Sequence, residues 1–432
     1  MATAVTRRWR IAWLLGAGVL VNYLDRVNLS VSEAALHADF GISKITFGFL
    51  LGAYSWTYAA LQMPVGVLLD RLGVQLVGRV STLLWSVASF GAALSTGVTS
   101  LFAARLLLGV GEAPTFPANA KATGYWFPVR ERSLATAMFD AAAKLGPAIG
   151  APLVGVLLLR FGWRLSFAFT GLISLAYFFL FYRVYRNPGN DPKLSDAERD
   201  LLVKGGAQPE QGNAAGHKGA SLWYLLRQRK VLGLAIGFAS YNYTFYLLLT
   251  WLPSYLASSM HIDLLHSVVY TSVPFLVATV TDLLVGGWFV DWLVRRGRDA
   301  SRVRQSVLVG GTVLGLGIFG AADAHTPALA LIWISISIGG LAAAAPVGWS
   351  IPGLIAPRES VGRIGGIMNF FSQCSAISAP IITGFIASVS GTFYWAFATA
   401  GIFISIGVLC YVLLLGRIEP IAEPDRQRSI GG

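Results

Sequence analysis

Two acid–base combinations sit inside otherwise apolar stretches of this 432-residue chain. Asp25-Arg26 lies within Val21-Asn22-Tyr23-Leu24-Asp25-Arg26-Val27-Asn28-Leu29-Ser30, and Arg105 with Glu112 in a segment near 100–122. An ionisable side chain at mid-membrane depth costs roughly 2.5–3.5 kcal/mol on insertion scales, and such groups mark substrate or ion pathways. Seven residues make two helical turns, about 10 Å, so Arg105 and Glu112 share a face without forming a tight pair. A guanidinium stays charged and offers a planar fork to a carboxylate. A carboxyl facing the same cavity can carry a proton, and a proton and an anion bound side by side favour one another, the thermodynamic core of symport. The other reading is a buried ion pair that only fixes helix packing. Asp25 and Arg26, being adjacent, do not face each other. One can face a cavity while the other reaches a neighbouring helix, as proton carrier and substrate contact or as a packing or gating pair.

Further charges lie in apolar surroundings. Asp140 and Lys144, four apart, can pair directly. They are either a self-neutralising pair or a second charge site for a dianionic substrate. Asp282, nine residues before Asp291, falls near mid-membrane as a proton carrier, a partner for Lys144 or a polar cavity wall, and Glu33 falls near the rim.

These residues need spanning helices to hold them, and the composition supplies the helices. The chain is 55% hydrophobic and 12% charged, half the charge of a soluble domain, with mean hydropathy +0.62. Twelve segments are long enough to cross a bilayer: 11–36, 45–69, 76–95, 100–122, 133–159, 163–182, 231–257, 267–294, 307–322, 327–355, 365–389 and 392–415. The first is too long for a signal-peptide core and is expected to remain. A polar stretch between Arg183 and Lys230, with Asn187-Pro188-Gly189-Asn190-Asp191-Pro192, reads as a partly flexible linker. The expected organisation is an all-α membrane protein with six helices in 1–186, a linker at 187–222 and six helices in 223–432. Of the 33 basic residues, only Lys44, Arg160 and Arg164 fall in one set of alternate loops, and Arg26, Arg105 and Lys144 fall inside segments. The rest cluster on the other side, which places both termini and the linker in the cytoplasm by the positive-inside rule. That distribution also accounts for the net charge of +12 without nucleic acid.

An internal repeat agrees with two halves. Gly66-Val67-Leu68-Leu69-Asp70-Arg71-Leu72-Gly73 follows the second segment, and Gly287-Trp288-Phe289-Val290-Asp291-Trp292-Leu293-Val294-Arg295-Arg296-Gly297 follows the eighth. Asp70, Arg71 and Asp291 then stand at helix ends, where charges and helix dipoles can hold and switch a gate.

The first copy of this repeat resembles the loop signature of the major facilitator superfamily. More narrowly, the chain resembles its anion:cation symporter branch. The likeness lies in Asn22-Tyr23-Leu24-Asp25-Arg26-x-Asn28-Leu29-Ser30, Tyr58-x-x-x-Gln62-x-Pro64-x-Gly66 and Arg105-Leu106-Leu107-Leu108-Gly109-Val110-Gly111-Glu112-Ala113-Pro114-x-Phe116-Pro117. It continues in Trp126-Phe127-Pro128-x-x-Glu131-Arg132 and Gly365-Gly366-x-x-Asn369. The resemblance implies two pseudo-symmetric six-helix bundles working by alternating access. It implies proton-coupled uptake of an organic anion such as a sugar acid, with Arg105 on the carboxylate and Asp25 and Glu112 as the titrating acids. Tyr23, Arg26 and Tyr58 would line the site, with Trp349 and Asn369 from the other half. Where several sugar-acid members carry an amide near Ala143, this chain has Asp140 and Lys144. Gly146-Pro147-x-x-Gly150-x-Pro152-x-x-Gly155 packs helices closely and resembles an antiporter motif, the feature that favours the alternative of proton-coupled efflux.

No phosphate-binding loop is present, because Gly109-Val110-Gly111 lies inside a span. The five histidines form no metal-ligand pattern, and Cys374 and Cys410 sit in apolar segments as packing residues. Neither cofactor, metal nor enzymatic activity is expected. The expected partners are a small organic anion, protons and the lipid bilayer of the plasma membrane, around a monomer.

Overall fold

The computed structural model describes residues 6–128, 131–207, 220–357 and 360–422, with the backbone alone at residues 63, 70, 133, 295 and 362. Among the described residues every regular element is helical. The chain divides into two compact units. The first holds α1 (Arg7–Val31), α2 (Glu33–Phe40), α3 (Lys44–Ala93), α4 (Val98–Glu112), α5 (Thr115–Trp126), α6 (Arg132–Val184) and α7 (Asp196–Lys204). The chain continues through α8 (Leu222–Leu226), α9 (Arg229–Ser258), α10 (Leu264–Thr281), α11 (Val290–Arg295), α12 (Ala300–Gly315) and α13 (Ile318–Ala322). It closes with α14 (Pro327–Ser350), α15 (Pro352–Ile355), α16 (Val361–Ser390) and α17 (Tyr394–Leu409). Two π-helical stretches, Asp282–Phe289 and Cys410–Leu415, follow α10 and α17. The first unit also takes in 249–276 and 380–392, so α9, α10 and α16 each contribute to both units.

Eight described stretches are long and apolar enough to cross a membrane by length and composition. One of them, 134–184, bends at Gly162 and serves as two spans. The first arm of α3, α1 and the α4–α5 pair bring the fold to the twelve spans expected. Asn22, Asp25, Arg26 and Asn28 dilute the apolar character of α1, and α4 has only 15 residues before the chain turns at Pro114.

The sequence places turns after the second and fifth segments, and the structure makes each of them at one glycine, Gly73 at φ 75° between the two arms of α3 and Gly162 at φ 77° between the two arms of α6. Only glycine takes this left-handed conformation without a Cβ penalty. One residue then redirects the axis while the helix on either side stays intact.

The interior of the first unit is tight where α1 meets α6 and where α4 lies against α3. Its core includes Trp85, Trp126, Phe127, Phe181 and Tyr185, with Leu194 and Leu202 from the stretch after the sixth span. The described part of the expected linker is therefore folded. Arg7 pairs with Asp191 at 2.6 Å, and Arg8 pairs with Glu198 at 2.9 Å and Glu131 at 2.8 Å, which ties α7 to the start of α1. The remainder of that linker, 208–219, lies outside the described residues. On α17 and the π-helical stretch after it, Ile402, Ile406, Leu409 and Leu413 are exposed at helical spacing, a stripe suited to lipid.

Candidate functional site

The position of α4 follows from its small residues. A Cβ at Gly109 would stand 2.1 Å from the Tyr54 carbonyl oxygen, and one at Gly111 would stand 2.6 Å from the Trp85 backbone nitrogen. Both neighbours lie on α3, one on each arm, so α4 is wedged against that helix at a distance only glycine allows. Thr57 Oγ1 donates to the Leu106 carbonyl at 2.7 Å, and Ser81 donates to that of Gly111. Pro117 has no N–H with which to bond the carbonyl four residues back. Gln62 Nε2 reaches that carbonyl, of Ala113, at 3.4 Å. These contacts hold Arg105 and Glu112 toward α1 and the first arm of α3.

The charges then meet in a pattern the spacing alone leaves open. Arg26 pairs with Glu112: Nε and Nη2 stand 2.8 and 2.6 Å from Glu112 Oε2. The side chains are 4% and 0% exposed. Asn22 lies close to the same carboxyl. The Arg26 guanidinium is boxed by Tyr23, Tyr54 and Tyr58, with its carbon 4.5, 4.8 and 5.7 Å from their ring centres. Cation–π attraction of this kind strengthens as water is removed. Arg105 is 2% exposed and lies 5.2 Å from the Tyr54 ring. Its Nε and Nη1 are buried and have no hydrogen-bond partner among the described residues. A buried donor left unsatisfied is costly, so such a group is suited to receiving an acceptor from a ligand.

Asp25 turns the other way. Its Oδ2 accepts from Ser174 Oγ on α6 at 2.8 Å, and the residue is 2% exposed. Close approach of α1 to this second arm of α6 makes this possible, because a Cβ at Gly18 of α1 would stand 2.3 Å from the Tyr177 hydroxyl oxygen.

The structure thus brings Tyr23, Arg26, Tyr58, Arg105 and Glu112 into one cluster and seats Asp25 behind it. The sequence reading does not single out Tyr54, although it precedes Tyr58 by one helical turn, nor Ser174, although Ser166, Thr170 and Ser174 repeat at that same interval. Asp140 and Lys144 make a 2.7 Å ion pair within α6, with the lysine side chain 3% exposed. Glu33 opens α2 half-buried, where its Oε2 accepts from Ser254 at 2.7 Å. In the second unit Trp349 is 44% exposed and stands edge-on to Phe238 at 5.1 Å. Asn369 is half-buried on α16, and Asp282 is buried at the start of its π-helical stretch. Arg71 and Asp291 are exposed, and the Asp70 side chain lies outside the described residues. Among the described residues no cluster of His, Cys, Asp and Glu could hold a metal ion.

Comparison with known proteins follows the same lines. The Major Facilitator Superfamily profile matches residues 15–298. An uncharacterized transporter of Bacillus subtilis, YybO, is 37% identical over 415 residues, covering 96% of this chain and 95% of the relative. The D-galactonate transporter of Escherichia coli is 31% identical, covering 96% and 97%. A probable galactarate/D-glucarate transporter of B. subtilis, GudP, is 29% identical, covering 98% and 96%. In fold, a bacterial homolog of the human lysosomal transporter Spinster, solved inward-facing and unoccupied, superposes with a TM-score of 0.75 at 15% identity over 96% of this chain and 98% of that one. With twelve spans, buried charges at the centre of the first unit and these likenesses over nearly the whole length, the chain belongs to the Major Facilitator Superfamily and is a multi-pass membrane transporter, not an enzyme.

Proposed function

We propose that this transporter carries a sugar acid of the galactonate or galactarate/glucarate type together with protons, in the direction of uptake, with both termini in the cytoplasm. The observation that carries the reading is Arg105, a buried guanidinium with two N–H-bearing atoms unbonded, beside an aromatic box and an existing Arg26–Glu112 pair. A substrate carboxylate satisfies that fork. Tyr23, Tyr58 and Arg26 offer contacts to its hydroxyls and charge, and Glu112 and Asp25 exchange protons. The names of relatives at about 30% identity supply the substrate class. An anion at Arg105 competes with Glu112 for the two guanidinium groups, and protonation of Glu112 frees Arg26 for the ligand. Proton and anion binding are then linked with one sign, as symport requires.

The test is uptake of labelled D-galactonate and galactarate by proteoliposomes containing the purified protein. Accumulation under an inward proton gradient, dissipated by a protonophore, is the expected result. Expulsion of preloaded substrate under the same gradient overturns symport in favour of exchange for protons. Failure of a panel of sugar acids to move or to raise the unfolding temperature overturns the substrate class.

A further inference from the structure

Asp25 stands at one end of a run of buried polar side chains that substrate binding does not use. On α1, Asp25, Asn28 and Ser32 follow one another at three and four residues and share a stripe. On the second arm of α6, Ser166, Thr170 and Ser174 repeat every four residues. The two stripes face each other. Ser174 Oγ donates to Asp25 Oδ2 at 2.8 Å. Asn28 Nδ2 donates to Thr170 Oγ1 at 3.1 Å, Ser166 Oγ donates to Asn28 Oδ1 at 3.1 Å, and Ser32 Oγ lies 3.4 Å from that same oxygen. All six residues are at most 2% exposed. Beyond Ser32 comes Glu33, half-buried at the start of α2, the end of the unit remote from Arg7.

We propose that this seam between α1 and α6 is the path by which a proton reaches Asp25 from the α2 end, with Ser174 as the positioning residue that presents its carboxyl. The inference rests on the proton coupling proposed above and adds the route. Helices that pack in lipid meet mostly through small residues, with an occasional polar contact. Ser and Thr are usual at such contacts, but here a carboxyl and an amide join four hydroxyls in one buried seam, and their line has a direction, from a carboxyl to the α2 end. The hydroxyls can each donate and accept and so hand a proton on, and the Asn28 amide, which donates from nitrogen and accepts at oxygen, holds Thr170 and Ser166 in line. Ser174 occupies Oδ2, and Oδ1 has no hydrogen-bond partner among the described residues, so Oδ1 is the atom that takes the proton. One proton arrives, the carboxylate becomes a neutral carboxyl, and the same proton leaves in the reverse step.

The groups around Asp25 on each packed element are few. From α4 come Glu112 and Arg105, whose charges act on it, and from α1 itself its neighbour Arg26. From α3 comes the Ser89 hydroxyl. From α6 come Ser174, Thr170 and Tyr177, whose hydroxyl donates to the Leu14 carbonyl at 3.1 Å. Arg26 leaves α1 toward α4 while Asp25 leaves it toward α6. Proton entry and anion binding therefore use different faces of one helix.

The test needs no substrate. The carbonyl stretch of a protonated Asp25, assigned by its loss in Asp25→Asn, is followed by infrared spectroscopy of the full-length protein as pH is changed. The expected result is a titration midpoint displaced by at least half a pH unit in Ser174→Ala and restored in Ser174→Thr. Thr170→Val and Asn28→Leu should slow, by at least tenfold, the rate at which the band follows a pH jump. A band with unaltered midpoint and rate in all of these variants overturns the proposal and leaves the seam as helix packing alone. If Ser174→Ala does not fold, the rates in Thr170→Val and Asn28→Leu still decide. Absence of any titrating band lost in Asp25→Asn overturns it equally. Failure of sugar-acid uptake by the unaltered protein bears on the substrate, and is read separately in the proteoliposomes.

Discussion

Glu112 and Asp25 are both carboxyls buried in the first unit, and their surroundings are opposite. Glu112 ends α4 in a cluster of charge and aromatic rings, bonded to Arg26 by two nitrogens. Asp25, though adjacent in sequence to that arginine, faces hydroxyls on α6. The 100° between successive residues of a helix separates them. One acid is bonded to a guanidinium, and the other accepts from a hydroxyl. The difference teaches that a pair of neighbouring charges in a span need not be a pair in space, and it is what lets the proposed proton and anion sites occupy two faces of one helix.

The largest test of this contrast is Glu112→Ala. It leaves Arg26 buried without its carboxylate, which should cost about 3–5 kcal/mol of stability, read as the unfolding midpoint in detergent. Arg105→Lys comes next. The fork is lost while the charge stays, so substrate affinity should fall roughly 10- to 100-fold, measured by binding calorimetry with D-galactonate. Unchanged affinity would remove Arg105 from the anion site. Gly111→Ala forces a methyl against the Trp85 backbone and should cost about 1–3 kcal/mol, with Glu112 displaced and affinity reduced alongside. Asp25→Asn sharpens the comparison from the other side. It alters a single hydroxyl contact, so its loss should be about 1 kcal/mol, with proton-driven accumulation abolished and exchange of labelled for unlabelled substrate retained. Equal destabilisation by Asp25→Asn and Glu112→Ala would erase the distinction between the two acids.

The smallest effect lies at the surface. Asp39 accepts from Trp163 Nε1 at 2.7 Å and from Arg164 at 3.0 Å, and these bonds, the first above all, hold its carboxyl below the usual value of 3.8. A depressed folded-state value means the contribution is present at neutral pH and lost as pH falls below that range. Asp39→Asn should flatten the acid limb of unfolding temperature against pH below about pH 4 and leave neutral stability almost unaltered.

Much of the architecture could be read before any coordinates. Apolar length marks the spans, and alternate basic loops order them. The charged residues stand out because so few interrupt those spans. The same logic placed turns at 70–75 and 160–162, where the structure breaks the helices at Gly73 and Gly162, but composition did not announce that one glycine would suffice for each. The fold of 187–207 also escaped composition. Its anchors are ion pairs to Arg7 and Arg8, and its buried leucines are few and far apart.

The sequence by itself determined which residues are charged at membrane depth and that Arg105 and Glu112 share a helical face, because hydropathy and helical period are local properties. Only the tertiary structure decided that Glu112 bonds Arg26, that Tyr54 joins Tyr23 and Tyr58 around it, and that Asp25 belongs to Ser174. Those partnerships depend on how closely helices approach and which faces they present. The glycines at 18, 109 and 111 allow that approach, but nothing in the one-dimensional order says which neighbour will fill the space they leave.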